Sequence, residues 1–161
     1  MLLWFAGLSV LMVWAVFQSP AIDYRYVIAG ALLPVAEVAL GGPYVLHTLV
    51  GAVAALAAVM LVTRQRRLIR RRWLGIPIGM FLHLVLDGVW SRPELFWWPF
   101  FGDGLGEGGV PEFDRGVGTV VLFELVGAGV VAWAWFRFGL DHEDRRRRFL
   151  TTGRLDAYEA E

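Results

Sequence analysis

Five stretches of the chain carry almost no charge. Met1 to Phe17 carries none, Tyr26 to Leu40 carries Glu37, and Tyr44 to Thr63 carries His47 and no formal charge. Leu74 to Trp90 contains His83 and Asp87, and Val117 to Phe136 contains Glu124. The apolar residues run on over helix-length windows instead of alternating, so the pattern predicts helices. A span needs about 20 residues, with about 17 as the lower limit. The third and fifth stretches qualify outright, and the first and fourth are just long enough. The second is short, carries Pro34 and stops at Gly41-Gly42-Pro43, which suits a broken or re-entrant helix. The first lacks the basic flank and small-residue cleavage site of a signal peptide and is taken as a span. The fold class expected is all-α. It is a polytopic transmembrane helical bundle over residues 1–140, with four to five membrane segments, one of them short or re-entrant. A charged tail occupies residues 141–161.

Composition agrees with this picture and narrows it. The chain is 57% apolar and 19% charged, against roughly 45–50% and 25% in soluble domains, which excludes a disordered chain. There is no Cys, so disulfides, thiolate zinc sites and a Cys nucleophile are excluded. All 15 cations are Arg and the formal net charge is zero, but the charges are segregated. Six Arg fall between Arg64 and Arg72, and four more run from Arg145 to Arg148. Clusters set against apolar runs are topology signals and contacts for anionic lipid, not a nucleic-acid surface. They place the Arg64–Arg72 loop and the C-terminus on the cytoplasmic side, and the chain in the cytoplasmic (inner) membrane. Ser91 to Gly116 is then outside, with Glu94, Asp103, Glu107, Glu112 and Asp114 against Arg92 and Arg115. The N-terminus is outside if the second segment crosses fully and cytoplasmic if it is re-entrant.

Ionisable residues inside spans are costly and point to function. The candidates are Glu37, His47, His83, Asp87 and Glu124, and in the assigned orientation all five fall in the outer half of the bilayer. His83 and Asp87 are four residues apart and share a helix face, which Gly75 and Gly79 continue. Leu84 is expected on the lipid side. His47 leads into Gly51 and Ala55, and Glu124 into Gly127 and Ala128. Small residues let membrane helices approach closely, so the polar groups are expected on contact faces. The last four segments hold three carboxylates and two His but no Lys or Arg. Only an Arg reaching in from a loop can pair with them. Either the acids are protonated or a cation compensates them. Two imidazoles with two or three carboxylates suit zinc, manganese or iron, and a metal can retain a water as nucleophile. Taken singly, each of these residues is as readily a helix–helix hydrogen-bond partner.

A set of ordered pieces resembles the membrane-bound metal-dependent hydrolases of bacteria. They are Asp23-Tyr24-Arg25, Gly30-Ala31-Leu32-Leu33-Pro34, His47-Thr48-Leu49, Leu82-His83-Leu84-Val85-Leu86-Asp87 and Phe96-Trp97-Trp98-Pro99-Phe100-Phe101-Gly102. The resemblance implies that His47, His83 and Asp87 are metal ligands. Members of that family commonly carry Asp directly after Leu-Leu-Pro, where this chain has Val35. Glu37 replaces it as a fourth ligand only if Pro34 re-aims the backbone, and otherwise the site is altered or inactive. The expected function is hydrolysis of an ester or phosphoester at an outward-facing site holding a divalent metal, zinc or manganese. A lipid-like substrate is expected, with Glu124 as general base or as an outer partner of the site. The rival readings are a proton- or cation-handling membrane protein and a non-catalytic membrane scaffold.

Overall fold

A computed structural model describes residues 1–19, 22–38, 41–102, 104–106 and 115–156. Four of the acids expected in the outer loop, Asp103, Glu107, Glu112 and Asp114, lie outside the described residues. Among those described, the chain is all helical, with no strand. Its helices are α1 (Leu2–Phe17), α2 (Tyr24–Val38), α3 (Leu49–Val62), α4 (Arg67–Trp73), α5 (Gly75–Asp87), α6 (Pro93–Phe96), α7 (Val117–Arg137) and α8 (Glu143–Thr152). Short 3-10 turns at Val45–His47 and Val89–Ser91 precede α3 and follow α5.

Only α7, at 21 residues, is long and apolar enough by itself to cross a membrane among the described residues. The other apolar helices are shorter because the sequence interrupts them. The third stretch, expected to be one helix from Tyr44, opens instead with the Val45–His47 turn. Thr48 then caps α3, its hydroxyl accepting the Gly51 N–H at 2.9 Å. An N-cap hydroxyl of this kind starts a new helix, so His47 stands on the turn before α3 and not within it. The second stretch, expected to be broken or re-entrant, forms one helix, Tyr24–Val38, through Pro34.

α5 is the centre of the bundle. Its Gly75, Gly79 and His83 face α2, and glycine makes that approach possible. A methyl on Gly79 would collide with the Val27 carbonyl, and one on Gly30 with the Ile76 carbonyl. Asp23 lies against Gly75, Val27 against Gly79 and Ala31 against His83, so α2 and α5 run parallel in constant register. On its other side α5 meets α3. Leu84, expected towards lipid, is fully buried and packs with Ala52, Met80, Val89 and Leu95. The expectation failed because it allowed α5 one contact face, whereas a central helix has several.

α1 and α7 run in the same direction, with Leu3 and Trp4 against Gly127 and Gly7 against Val131. α1 is antiparallel to α5: Phe5 stacks near His83 and Val13 lies by Ile78. The starts of α1, α3 and α7 and the ends of α2 and α5 therefore gather at one end of the bundle. At the opposite end the chain after α8 folds back. Leu155 is buried with Val10, Val13, Tyr24, Val27 and Phe138.

Candidate metal centre

The ends of α2 and α5 and the turn before α3 bring three residues together. His47, His83 and Asp87 each present one ligand atom, and these atoms all lie within 4.8 Å of one another. All three are buried, at 1%, 0% and 0% exposure. Their positions follow from local structure. His83 is carried on the face of α5 that Gly75 and Gly79 press against α2, and Asp87 follows one turn later on the same face. His47 is brought to them by the short turn that precedes α3, and its ring meets that of His83 edge-on at 5.3 Å.

The second nitrogen of each imidazole is already committed. His83 Nδ1 lies 2.8 Å from the Ala31 carbonyl oxygen. A carbonyl only accepts, so Nδ1 carries the proton and Nε2 keeps its lone pair. That Nε2 is buried and has no hydrogen-bond partner among the described residues. A buried acceptor in this state is costly, and a metal ion relieves the cost. His47 Nδ1 lies 2.9 Å from Glu37 Oε2, and the same carboxylate accepts the Leu46 N–H at 3.0 and 3.1 Å. Glu37 is thus an acceptor that orients the His47 ring through its Nδ1–H. Imidazoles that ligate metals are held in this way, by a carboxylate or a backbone carbonyl on the other nitrogen.

Of the four residues singled out as ligands, three converge. Glu37 stands behind His47, because α2 continues past Pro34 as one helix and brings the carboxylate to the Leu46 N–H and the His47 ring. Glu124 lies elsewhere. Its carboxylate accepts the Leu2 and Leu3 N–H groups, the latter at 2.9 Å, and so caps the start of α1.

Arg115 was not singled out from the sequence. It comes in from just before α7, donates through Nη2 to the Asp87 carbonyl at 2.6 Å, and holds Nη1 3.9 Å from Asp87 Oδ1. Its guanidinium lies over the Phe123 ring, 5.2 Å from the centroid. The sequence carried a faint signal for it, since Arg115 and Arg92 are the two cations of an otherwise acidic loop.

The donor set suits a divalent ion. Two imidazole nitrogens and one carboxylate are a donor set that could hold such an ion. Comparison with protein-family models, curated proteins and solved structures gave no match.

Proposed function

We propose that the protein is a multi-pass membrane protein with a metal-dependent hydrolase centre at its outward-facing end. The observation that carries this reading is the buried group of His47, His83 and Asp87, with both imidazoles oriented from behind by Glu37 and the Ala31 carbonyl. His47, His83 and Asp87 would hold a divalent ion, zinc or manganese, which would supply Lewis-acid activation of water and of an ester or phosphoester. The chain's own groups fix the ligands in the ionisation and tautomer that binding needs.

The membrane reading is supported by the surface. Val53, Leu56, Leu61 and Val62 of α3 and Val121, Leu122, Leu125 and Phe136 of α7 are exposed, far more apolar area than a soluble monomer leaves in water. With the Arg64–Arg72 and Arg145–Arg148 clusters in the cytoplasm, the gathered ends of α2 and α5 face outward, and so does the start of α1. A proton or cation relay is less well supported. Between the metal group and the opposite end the α2–α5 seam is built of Val27, Gly30, Ala31, Gly75 and Gly79, and none of these carries a titratable group.

Elemental analysis of purified wild type beside His83→Ala tests the reading. Wild type is expected to carry a divalent metal below one equivalent, restored by added zinc or manganese, and the variant to lose most of it. Wild type that takes up no divalent ion at neutral pH overturns the metal centre. Orientation is tested by single-Cys labelling in this Cys-free chain. A Cys at the exposed Phe100 position should react with an impermeant reagent in intact cells, and one at Arg66 should not.

A further inference from the structure

We propose that Arg115 is the anion-recognising residue of this centre and that its ligand carries a phosphate group. The proposal rests on the metal-site reading above and adds the class of substrate to it.

A guanidinium presents its donors as a rigid fork. One arm of Arg115 is used structurally, since Nη2 donates to the Asp87 carbonyl at the end of α5. A cation at a helix C-terminus is favourable there, and capping by itself requires no more than that arm. The other arm is placed differently. Nη1 is buried, has no hydrogen-bond partner among the described residues, and lies beyond hydrogen-bonding distance of Asp87 Oδ1 at 3.9 Å. It faces the ligand group with donors to spare.

Charge points the same way. The two charges of a divalent ion and the one on Arg115 exceed those of Asp87 and Glu37, so the occupied centre has a positive surplus that an anion neutralises. A phosphate ester spreads its charge over oxygens around one phosphorus. One oxygen can face the metal while another accepts from Nη1, with the strength of a charge-assisted bond. Cation–π contact with Phe123 holds the fork in place before the ligand arrives.

The phosphate can belong to a lipid or to a soluble ester, and the fold favours the lipid. A groove of about 400 Å³ runs between α1, α3 and α5, lined by Val13, Val16, Leu49, Val53, Leu56 and Leu82 among others. Leu49 at the start of α3 and Leu82 near the end of α5 mark its end nearer the metal group, and Val16 marks the far end, so the groove gives an acyl chain an apolar track along the bundle.

The test is calorimetry on zinc-reconstituted protein, with metal content measured on each sample. The ligands are inorganic phosphate, glycerol phosphate, short-chain phosphatidic acid and acetate. Arg115→Gln should keep the metal content of wild type and bind phosphate at least about tenfold more weakly, the worth of one charge-assisted bond. Arg115→Lys keeps a cation for the Asp87 carbonyl but has no second planar arm. It should retain the thermal stability of wild type and bind phosphate several-fold more weakly, and it carries the test if Arg115→Gln does not fold. Tighter binding of phosphatidic acid than of glycerol phosphate supports a lipid phosphate, and equal binding supports a soluble one. Undiminished phosphate affinity in a metal-loaded variant, or acetate bound as tightly as phosphate, overturns the role of Arg115 alone. Wild type that holds no metal overturns the centre and this proposal together.

Discussion

The α2–α5 pair has a polar knot at each end, and the two are built on opposite plans. At the end near α8, Asp23 is 2% exposed and fully matched. Arg25 grips it with Nε at 3.0 Å and Nη2 at 2.7 Å, and the Arg25 N–H adds a further bond. Arg25 Nη1 ties this pair to the Leu150 carbonyl at 2.6 Å, and the Tyr24 N–H bonds the Gly153 carbonyl at 2.9 Å. At the other end, about 18 Å away along α5 at 1.5 Å per residue, Asp87 faces two imidazoles. Arg115 Nη1 lies 3.9 Å from its Oδ1, and His83 Nε2 has no hydrogen-bond partner among the described residues. Both knots bury a carboxylate next to an Arg. The first ties the start of α2 to the C-terminal segment, as a clamp does. The second has both imidazoles oriented from behind, by Glu37 and the Ala31 carbonyl, in a group that could hold a metal ion.

The seam between the knots is the place to break both at once. Gly79→Leu has no room against the Val27 carbonyl and Ala31 nitrogen, so α5 must move off α2. Asp23, Ala31 and His83 then lose their register together. The expected outcome is the largest here because stability and metal fall together: overpacking costs about 1–3 kcal/mol or more in detergent, and bound metal is lost. Leu84→Ala cuts a fully buried side chain and should cost about 2–5 kcal/mol, yet it leaves the α2 face intact and should keep its metal. A Gly79→Leu protein that retains both stability and metal would refute the seam as the common support.

Much of the site was legible in the sequence, and the reasons are local. The four-residue spacing of His83 and Asp87, continued by Gly75 and Gly79, is a property of one helix and needs no tertiary information. The absence of Lys and Arg from the last four apolar stretches pointed to a cation or to an Arg entering from a loop. What escaped depended on contacts between elements. Glu37 and Glu124 sit at similar depths to the ligands, but depth does not give direction around a helix axis. Only the α2–turn contact sends Glu37 to His47, and only the α1–α7 contact sends Glu124 to the start of α1. The break at Thr48 is a capping signal that an apolar run of 20 residues conceals. Leu84 misled because the number of neighbours a helix has is not written in its own sequence.

A narrower experiment separates the two knots by changing one partner in each. Glu37→Gln keeps the shape behind His47 but weakens the acceptor, and metal affinity should fall about 10–100-fold, as when the outer partner of a metal-bound His is lost. Binding should also weaken as pH falls, because the His ligands must be neutral and Asp87 ionised. Arg25→Ala at the other knot leaves Asp23 buried without its fork. It should lower thermal stability by about 2–3 kcal/mol, below the full cost of breaking a buried pair because Arg25 itself is 35% exposed. Its metal affinity should stay at the wild-type value. Equal metal losses in the two variants would mean that the knots are one coupled unit, not a clamp and a site.

The smallest effect is expected at Glu124, and it sharpens the comparison most. The residue lies near the end of the bundle that gathers the metal group and has the chemistry of a general base, but its carboxylate is engaged by the Leu2 and Leu3 N–H groups. Glu124→Gln preserves an oxygen for one of those donors and removes only the charge at the positive end of α1. A charge in that position is worth about 0.3–1 kcal/mol, so stability should fall slightly and metal content should not change. A general base contributes about 10²–10⁴-fold to a rate. Hydrolysis of a phosphoester by the metal-loaded variant within a factor of two or three of wild type would fix Glu124 as a helix cap. A fall of a hundredfold with metal intact would show that the carboxylate leaves α1 during turnover and that the open site includes it.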